Sequence, residues 1–331
     1  MLDGQFCMRR RNFIALLGSG AAWQPAARAQ NTVPVIGFLG TGSEAHSQGQ
    51  VTAFRRGLSQ VGFDEGRNVA FEFRWAEGRY ERLPAMAAEL ARRPVALILA
   101  NAPPAALTAK ATTATIPIVF VVGFDPVAAG LVSSLGRPGG NATGMTLISG
   151  VLGQKRLEIL REVAPKAAVV AMLANPISPD AVPEIGSVQA AAQSMGVELA
   201  MFNVSAVSEF ATTFAAIAQR RPDAVLVGTD PLFVNQRDEI VARANPLRLP
   251  TIYPFREYAA SGGLISYGSS IPNAYRQAGI YAGRILKGEK SAELAVQQPT
   301  TFELVINLKT GRALGLELPP TLLARADEVI E

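Results

Sequence analysis

The chain has 331 residues, of which 49% are hydrophobic and 18% are charged. A chain of this length usually forms about two domains, each large enough to bury its own hydrophobic core. The charged fraction lies below the roughly 25% of an average soluble protein, and the composition excludes an intrinsically disordered chain. Lys and Arg total 31 against 27 Asp and Glu, so the formal net charge is +4.

The surplus positive charge is concentrated at the N-terminus. Residues 1–29 contain four arginines and a single acid, Asp3, so the rest of the chain is close to neutral. No later run of Lys or Arg could follow a phosphate backbone. We therefore expect no binding of nucleic acid.

Residues 1–29 have the three parts of an export signal. The basic residues 9–11 precede a mostly apolar run at 13–23, and Ala27-Arg28-Ala29 supplies the small-x-small pattern of a cleavage site. The apolar run is too short to span a bilayer as a helix. The arginine pair ahead of Phe13 is also similar to a twin-arginine signal, so the Sec and twin-arginine routes stay open, as does a start at Met1 or Met8.

Cysteine usage fits the same interpretation. The single cysteine, Cys7, precedes the apolar run, so a mature chain would contain none. This excludes a disulfide framework, a thiolate enzyme and a Cys-ligated metal site. No later stretch has 18 consecutive apolar residues, so we expect a soluble, exported protein.

From residue 33 onward, short β-rich runs alternate with longer Ala-rich stretches. The first half predicts strands at 33–39, 68–74, 95–100 and 116–122, and helices at 46–61, 79–92 and 103–114. The second half predicts strands at 168–174, 197–204, 224–228, 251–253 and 263–266, and helices at 180–195, 207–220, 232–244, 255–261 and 273–287. This alternation predicts an α/β fold in which parallel sheets carry helices on both faces.

The two halves also share a pattern. Arg92-Arg93-Pro94 leads into one predicted strand and Arg220-Arg221-Pro222 into another, although any α/β unit can end in basic residues and proline. We interpret this repeated pattern as a sign of two similar lobes joined by a hinge, with a cleft at the carboxyl ends of their strands. Lobe 1 would comprise residues 32–145 with about 256–290, and lobe 2 residues 146–255 with about 291–331. The first crossing would lie at 144–146.

Catalytic and cofactor signals are weak. His46 is the only histidine, and the chain has no Gly-x-Ser-x-Gly elbow and no spaced cluster of metal ligands. The loop Gly40-Thr41-Gly42-Ser43 follows a predicted strand, as in dinucleotide folds, but the acid expected about 20 residues later is missing. We expect no enzyme activity, no metal and no cofactor. An exported NAD(P)-dependent oxidoreductase is the alternative.

Candidate ligand-binding residues follow the predicted strands. Thr41 and Ser43 lie in a loop suited to an anion, because N–H groups at a helix N-terminus attract carboxylates. Other polar or aromatic candidates are Asn101, Asp125, Asn175, Asp230, Tyr253, Phe255 and Tyr267. Asp125 and Asp230 each precede a proline, so a helix N-cap explains them as well as ligand contact does.

Several segments carry a family resemblance. They read DPVAAGLV at 125–132, RPGGNATG at 137–144, YPFREY at 253–258, GGL at 262–264, SYG at 266–268, QPTTFELVINLKT at 298–310 and LARAD at 323–327. Together they resemble the tryptophan/tyrosine-type substrate-binding proteins of ABC transporters. The resemblance implies a two-lobed periplasmic binding protein of type I, working as a monomer that captures a small solute and delivers it to ABC permease subunits. A sensing subunit of the same fold remains a further alternative.

If the solute is an aromatic amino acid, each end of it has candidate partners. Its carboxylate would meet loop N–H groups with Thr41 or Ser43, and its ammonium would meet an acid such as Asp125 or Asp230. Tyr253, Phe255 or Tyr267 would flank the ring.

Overall fold

The structure, a computed structural model, describes residues 33–331, so the expected export signal, Cys7 and the choice of start site lie outside the described residues. Its strands are β1 (Val35–Gly40), β2 (Ala70–Trp75), β3 (Val95–Asn101), β4 (Ile118–Val122), β5 (Ala142–Thr146), β6 (Val169–Ala174), β7 (Glu198–Asn203), β8 (Ala224–Val227), β9 (Thr251–Tyr253), β10 (Ile265–Gly268), β11 (Glu303–Asn307) and β12 (Glu328–Ile330). Its α-helices are α1 (Glu44–Gln60), α2 (Leu83–Ala91), α3 (Ala102–Thr112), α4 (Gly153–Val163), α5 (Ala181–Ser194), α6 (Phe210–Arg220), α7 (Pro231–Asn235), α8 (Arg237–Ala244), α9 (Arg256–Ala260), α10 (Ile271–Leu286), α11 (Leu308–Leu314) and α12 (Pro320–Leu323).

The strands form two sheets with the same underlying topology. The first has the order β2-β1-β3-β4-β5, and all its strands are parallel. The second has the order β12-β11-β10-β9-β8-β6-β7, so β7, β6, β8, β9 and β10 repeat the order of the first sheet. The pairing of β10 with β11 is antiparallel, which was not anticipated. The predicted α/β fold with two similar lobes is confirmed.

Each sheet is covered by helices on both faces because successive strand residues point to opposite sides. In lobe 1, Phe38 faces the core beneath α1 and α10, whereas Leu39 faces the core beneath α2 and α3. In lobe 2, Leu173 faces α6 and α8, whereas Met172 faces α4 and α5. The core that contains Phe38 is continuous with the core that contains Leu173, so it extends from one lobe into the other.

The lobe boundaries differ from the sequence-based expectation in three places. Residues 144–146, expected as a crossing, belong to β5, which pairs with β4, so the chain leaves lobe 1 just after them. Residues 256–268, expected in lobe 1, form α9 and β10, and β10 pairs with β9 and β11. The chain returns to lobe 1 with α10, which packs along α1. It stays there past residue 291, because the N–H of Gln297 donates to the carbonyl of Gly144 at 2.9 Å.

Among the helices of residues 33–331, none combines the length and the apolar character that spanning a bilayer requires.

Candidate functional site

A cavity of about 50 Å³ lies where the carboxyl ends of the two sheets face each other. Lobe 1 contributes Thr41, Gln50, Asn101 and Gly123, together with Tyr275 from α10. Lobe 2 contributes Asp180, Thr229, Asp230, Asn235 and Phe255. Carboxyl ends of parallel strands collect ligand-binding residues in open α/β sheets, so this cavity is the candidate site.

The lobes are closed over this cavity. The side-chain amide of Asn235 lies against Gly42, and a Cβ atom at Gly42 would stand 2.6 Å from its Nδ2. The carboxyl of Asp180 lies against Gly123, where a Cβ atom would stand 2.8 Å from Oδ2. A side chain at either glycine would therefore have to displace the polar side chain that approaches from the opposite lobe.

Asp230 is placed at the cavity by its role as a helix cap. Its Oδ1 accepts a hydrogen bond from the N–H of Leu232 at 2.8 Å, and Pro231 occupies the first position of α7. Its Oδ2 is buried and makes no well-aligned hydrogen bond among the described residues, although the side chains of Asn175 and Ser178 lie close to it. Burial raises the pKa of Asp230 to about 6, while the neighbouring side chains of Asn175 and Ser178 limit the rise.

Asp180 is a second buried carboxyl in the wall. It directly precedes α5, its side chain is almost fully buried, and its Oδ1 has no hydrogen-bond partner among the described residues. Burial raises the pKa of Asp180 well above its ordinary value, and the negative charges of Glu184 and Asp230 raise it further. The side chain thus faces the cavity with its hydrogen-bonding capacity unused.

A buried ion pair fixes the loop that carries Asp230. Nη2 of Arg156 on α4 lies 2.9 Å from Oε1 of Glu184 on α5, and both side chains are almost fully buried. Glu184 accepts a hydrogen bond from the N–H of Thr229 at 2.7 Å, and Arg156 donates to the hydroxyl of Thr229 at 3.1 Å. The pair therefore neutralises itself and anchors the end of β8.

Lobe 1 supplies an oriented amide and a phenol. Nδ2 of Asn101 donates to Oε1 of Gln50 at 2.7 Å, which fixes the amide at the end of β3. The hydroxyl of Tyr80 lies close to the carboxyls of lobe 2. Burial raises the pKa of Tyr80, and the charges of Asp230 and Asp180 raise it further.

Four of the nine predicted site residues line the cavity, namely Thr41, Asn101, Asp230 and Phe255. The structure brings them together from both lobes. The remaining five lie outside the cavity, and the contacts of each one explain its position.

Three of these five are polar residues whose side chains make hydrogen bonds outside the cavity. Ser43 caps α1 and its Oγ lies 2.9 Å from Nδ1 of His46. Asp125 is exposed and accepts from the N–H of Val127 at 2.8 Å, in a turn of the kind that its following proline favours. Asn175 lies beneath Asp230 and its Oδ1 accepts from the hydroxyl of Ser205 at 3.1 Å.

The other two are aromatic residues that pack away from the cavity. Tyr253 is fully buried and stacks on Tyr258 with ring centroids 4.9 Å apart. Tyr267 packs against Phe302 with centroids 6.1 Å apart. Neither tyrosine lines this cavity, and the aromatic residues in its wall are Phe255 and Tyr275.

Sequence reasoning missed Asp180, Gln50, Asn235 and Tyr275. Asp180 lies beyond the end of β6, at the start of the next helix, so a search of strand ends passed over it. The signal that could have found it is the proline-flanked loop at 175–180, since a loop between β6 and α5 opens at the same edge of the sheet. Within the described residues, no group of three or more His, Cys, Asp or Glu could hold a metal ion.

A pair of similar α/β lobes closed over a cavity of polar and aromatic side chains defines a two-lobed solute-binding protein. A model of the family described as ABC transporter substrate binding protein matches residues 35–330, and the chain belongs to that family. Members of the family are non-enzymatic binding proteins, so the oxidoreductase alternative is excluded.

Similar proteins support the same class. The chain is 27% identical over 264 residues to a tyrosine-binding protein of Clostridioides difficile strain R20291, covering 80% of this chain and 76% of the relative. It is similar to the structure of an ABC domain from Streptococcus pneumonia in complex with L-Trp, with a TM-score of 0.81, 24% identity, and 90% and 99% of the two chains covered. It is also similar to the ligand-free, open structure of a Clostridium difficile substrate binding protein, with a TM-score of 0.64, 25% identity and the same coverage.

Proposed function

We propose that this chain is the solute-binding component of an ABC importer and binds an amino-bearing solute between its lobes, with an aromatic amino acid as the leading candidate. The observation that carries the proposal is the carboxyl of Asp230 in the cavity wall, whose buried Oδ2 makes no well-aligned hydrogen bond among the described residues. A buried polar atom of this kind is costly unless a ligand satisfies it. An ammonium group is the natural partner of a carboxylate.

Other residues of the cavity wall suit the ring and the carboxylate of an aromatic amino acid. Phe255 and Tyr275 supply aromatic surface from opposite sides of the cleft. Thr41 and Asn101 supply hydrogen-bond donors for a carboxylate. The similarity to a tyrosine-binding protein favours the same solute class.

Binding would require movement of the lobes. A cavity of about 50 Å³ holds only a few water molecules, so an amino acid can enter only when the lobes separate, and the lobes would then close around it with a wider cavity than the empty one. Contacts that both lobes make in the closed state would give the solute its preference for that state. The two TM-scores support this view, because identity and coverage are nearly equal but the fit is closer to the L-Trp complex than to the open structure.

The wider setting of this function follows from the N-terminal segment. Residues 1–29 would direct the chain out of the cytoplasm to the periplasm, by the Sec or the twin-arginine route. There the protein would work as a monomer, and the permease subunits would recognise its closed form.

The test is the thermal unfolding of the purified mature chain with L-tyrosine, L-tryptophan and a panel of other amino acids. A bound solute at 100 times its Kd should stabilise the protein by about 2.7 kcal/mol. D-Tyrosine serves as the matched control because its groups are the same but differently arranged. If no amino acid changes the midpoint, the amino-acid version of the proposal fails.

A further inference from the structure

The cleft contains two carboxyl groups, one more than a single ammonium group can neutralise when both are ionised. Asp180 and Asp230 both line the cavity and both have almost fully buried side chains. Each keeps one carboxyl oxygen without a hydrogen-bond partner among the described residues. The cavity wall contains no Lys, Arg or His in the described part of the chain.

The groups around this pair do not supply a counter-charge. Arg156 is held by Glu184, so this ion pair is neutral as a unit. The hydroxyls of Tyr80 and Tyr258 face the same region, and burial raises the pKa of each above its ordinary value, so both are neutral. Asn175 and Ser178 beside Asp230 are uncharged. Closing the cleft therefore buries two like charges, which repel each other strongly once water is excluded.

We propose that Asp180 and Asp230 form a charge-selective pair: the ionised pair opposes closure of the empty cleft and permits it over a solute with a positively charged nitrogen. Asp180 is the specificity-determining residue of the pair, because Asp230 is also required as the cap of α7. The raised pKa of both groups agrees with this role, since protonation relieves the same repulsion.

The pair also discriminates among solutes, and this part of the inference rests on the proposed function. A carboxylate brought by the solute adds a third negative charge to the cavity. An amine that lacks the carboxylate, such as tyramine, should therefore bind more tightly than tyrosine. Replacing Asp180 by Asn should reduce the ratio of the two Kd values on the order of tenfold, because one repulsive partner is lost.

The test of closure needs no solute. Small-angle X-ray scattering of the ligand-free mature chain should give a larger radius of gyration at pH 8 than at pH 5. Asp180→Asn should move the transition to higher pH, because closure then buries only one carboxylate. Glu293→Gln, which removes an exposed carboxylate, should leave the transition in place.

The two proposals fail separately. A radius that is the same at both pH values, or a transition that Asp180→Asn does not move, overturns the charge-selective pair whatever the protein binds. If scattering follows the expectation but neither tyrosine nor tyramine binds, the pair stands and the amino-acid proposal falls. If both bind with a Kd ratio that Asp180→Asn leaves unchanged, discrimination by Asp180 is overturned.

Discussion

The side-chain amide of Asn235 in lobe 2 covers the Cα atom of Gly42 in lobe 1, so closely that a Cβ there would stand 2.6 Å from Nδ2. This contact exists only while the lobes are closed. A side chain at residue 42 therefore acts on closure rather than on the folding of either lobe.

We expect Gly42→Ala to weaken solute binding. Overpacking of a close contact typically costs about 1–3 kcal/mol, which corresponds to a rise in Kd of roughly fivefold to 150-fold. The unfolding midpoint of the ligand-free chain should hardly change, because the open form has room for a methyl group. Isothermal titration calorimetry and thermal unfolding measure the two quantities. Gly136→Ala is the control, since a Cβ there meets nothing within 4 Å, and equal losses of affinity in both variants would contradict the expectation.

The buried pair of Arg156 and Glu184 should matter for stability. Arg156→Met leaves the Glu184 carboxylate buried without its cation, and removing one partner of a buried pair costs roughly 3–5 kcal/mol. Arg325→Met breaks an exposed pair with Glu162 and should cost about 0–1 kcal/mol. Urea unfolding measures both free energies.

A second variant separates lost charge from lost packing. Arg156→Met combined with Glu184→Gln removes both charges, while the amide oxygen of the new side chain can still accept from the N–H of Thr229. The free energy of unfolding of this double variant should exceed that of Arg156→Met alone. Equal losses from Arg156→Met and Arg325→Met would show that the buried pair is not needed.

Asp230 has a cap role and a proposed ligand role that two substitutions distinguish. Asp230→Asn keeps an oxygen that can accept from Leu232, whereas Asp230→Ala removes it and should be less stable than Asp230→Asn by about 1 kcal/mol. Both should weaken binding of an amine, which calorimetry can measure. Asn307→Ala removes the cap of α11, far from the cavity, and should lower stability without changing Kd. Normal affinity in Asp230→Asn would leave the carboxylate with a structural role alone.

The raised pKa of Asp230 predicts the sign of a pH dependence. Its folded-state pKa of about 6 lies above the unfolded value of roughly 3.9. Between about pH 3.9 and about pH 6 the folded chain therefore binds more protons than the unfolded chain. The free energy of unfolding should then fall as pH rises from about 4 to 6, by up to roughly 3 kcal/mol from this group. In Asp230→Asn, the free energy of unfolding should lack the part of this decrease that Asp230 causes. Urea unfolding at several pH values checks it, and parallel curves for the two proteins would refute it.

The fold could be predicted from sequence because its repeated units leave repeated signals. The Arg-Arg-Pro pattern before β3 and β8 marks two strands with equivalent positions in their sheets. β5 was missed because Gly144 and its neighbours look like a turn, although the strand is completed by pairing with β4. The pairing of β10 with β11 joins segments far apart in the chain, which local patterns do not specify.

The residues that line the cavity were predictable only where a strand end leads straight into it. Asn101 and Asp230 were found because carboxyl ends of parallel strands share one edge of a sheet. Tyr253 satisfied the same rule, but it points into the core because alternate strand residues face opposite sides. Asp180 depends on the path of a loop and on contact with Gly123 in the other lobe, which sequence periodicity does not contain.

The chain passes between the lobes three times, after β5, after β10 and between α10 and β11. Two lobes joined by a single connection can rotate freely about it. Three connections restrict the relative motion of the lobes mainly to bending. Each closure of the hinge should therefore bring the same atoms of the two lobes into contact. Such repeatable alignment lets Asn235 find Gly42, and Asp180 find Gly123, on every cycle.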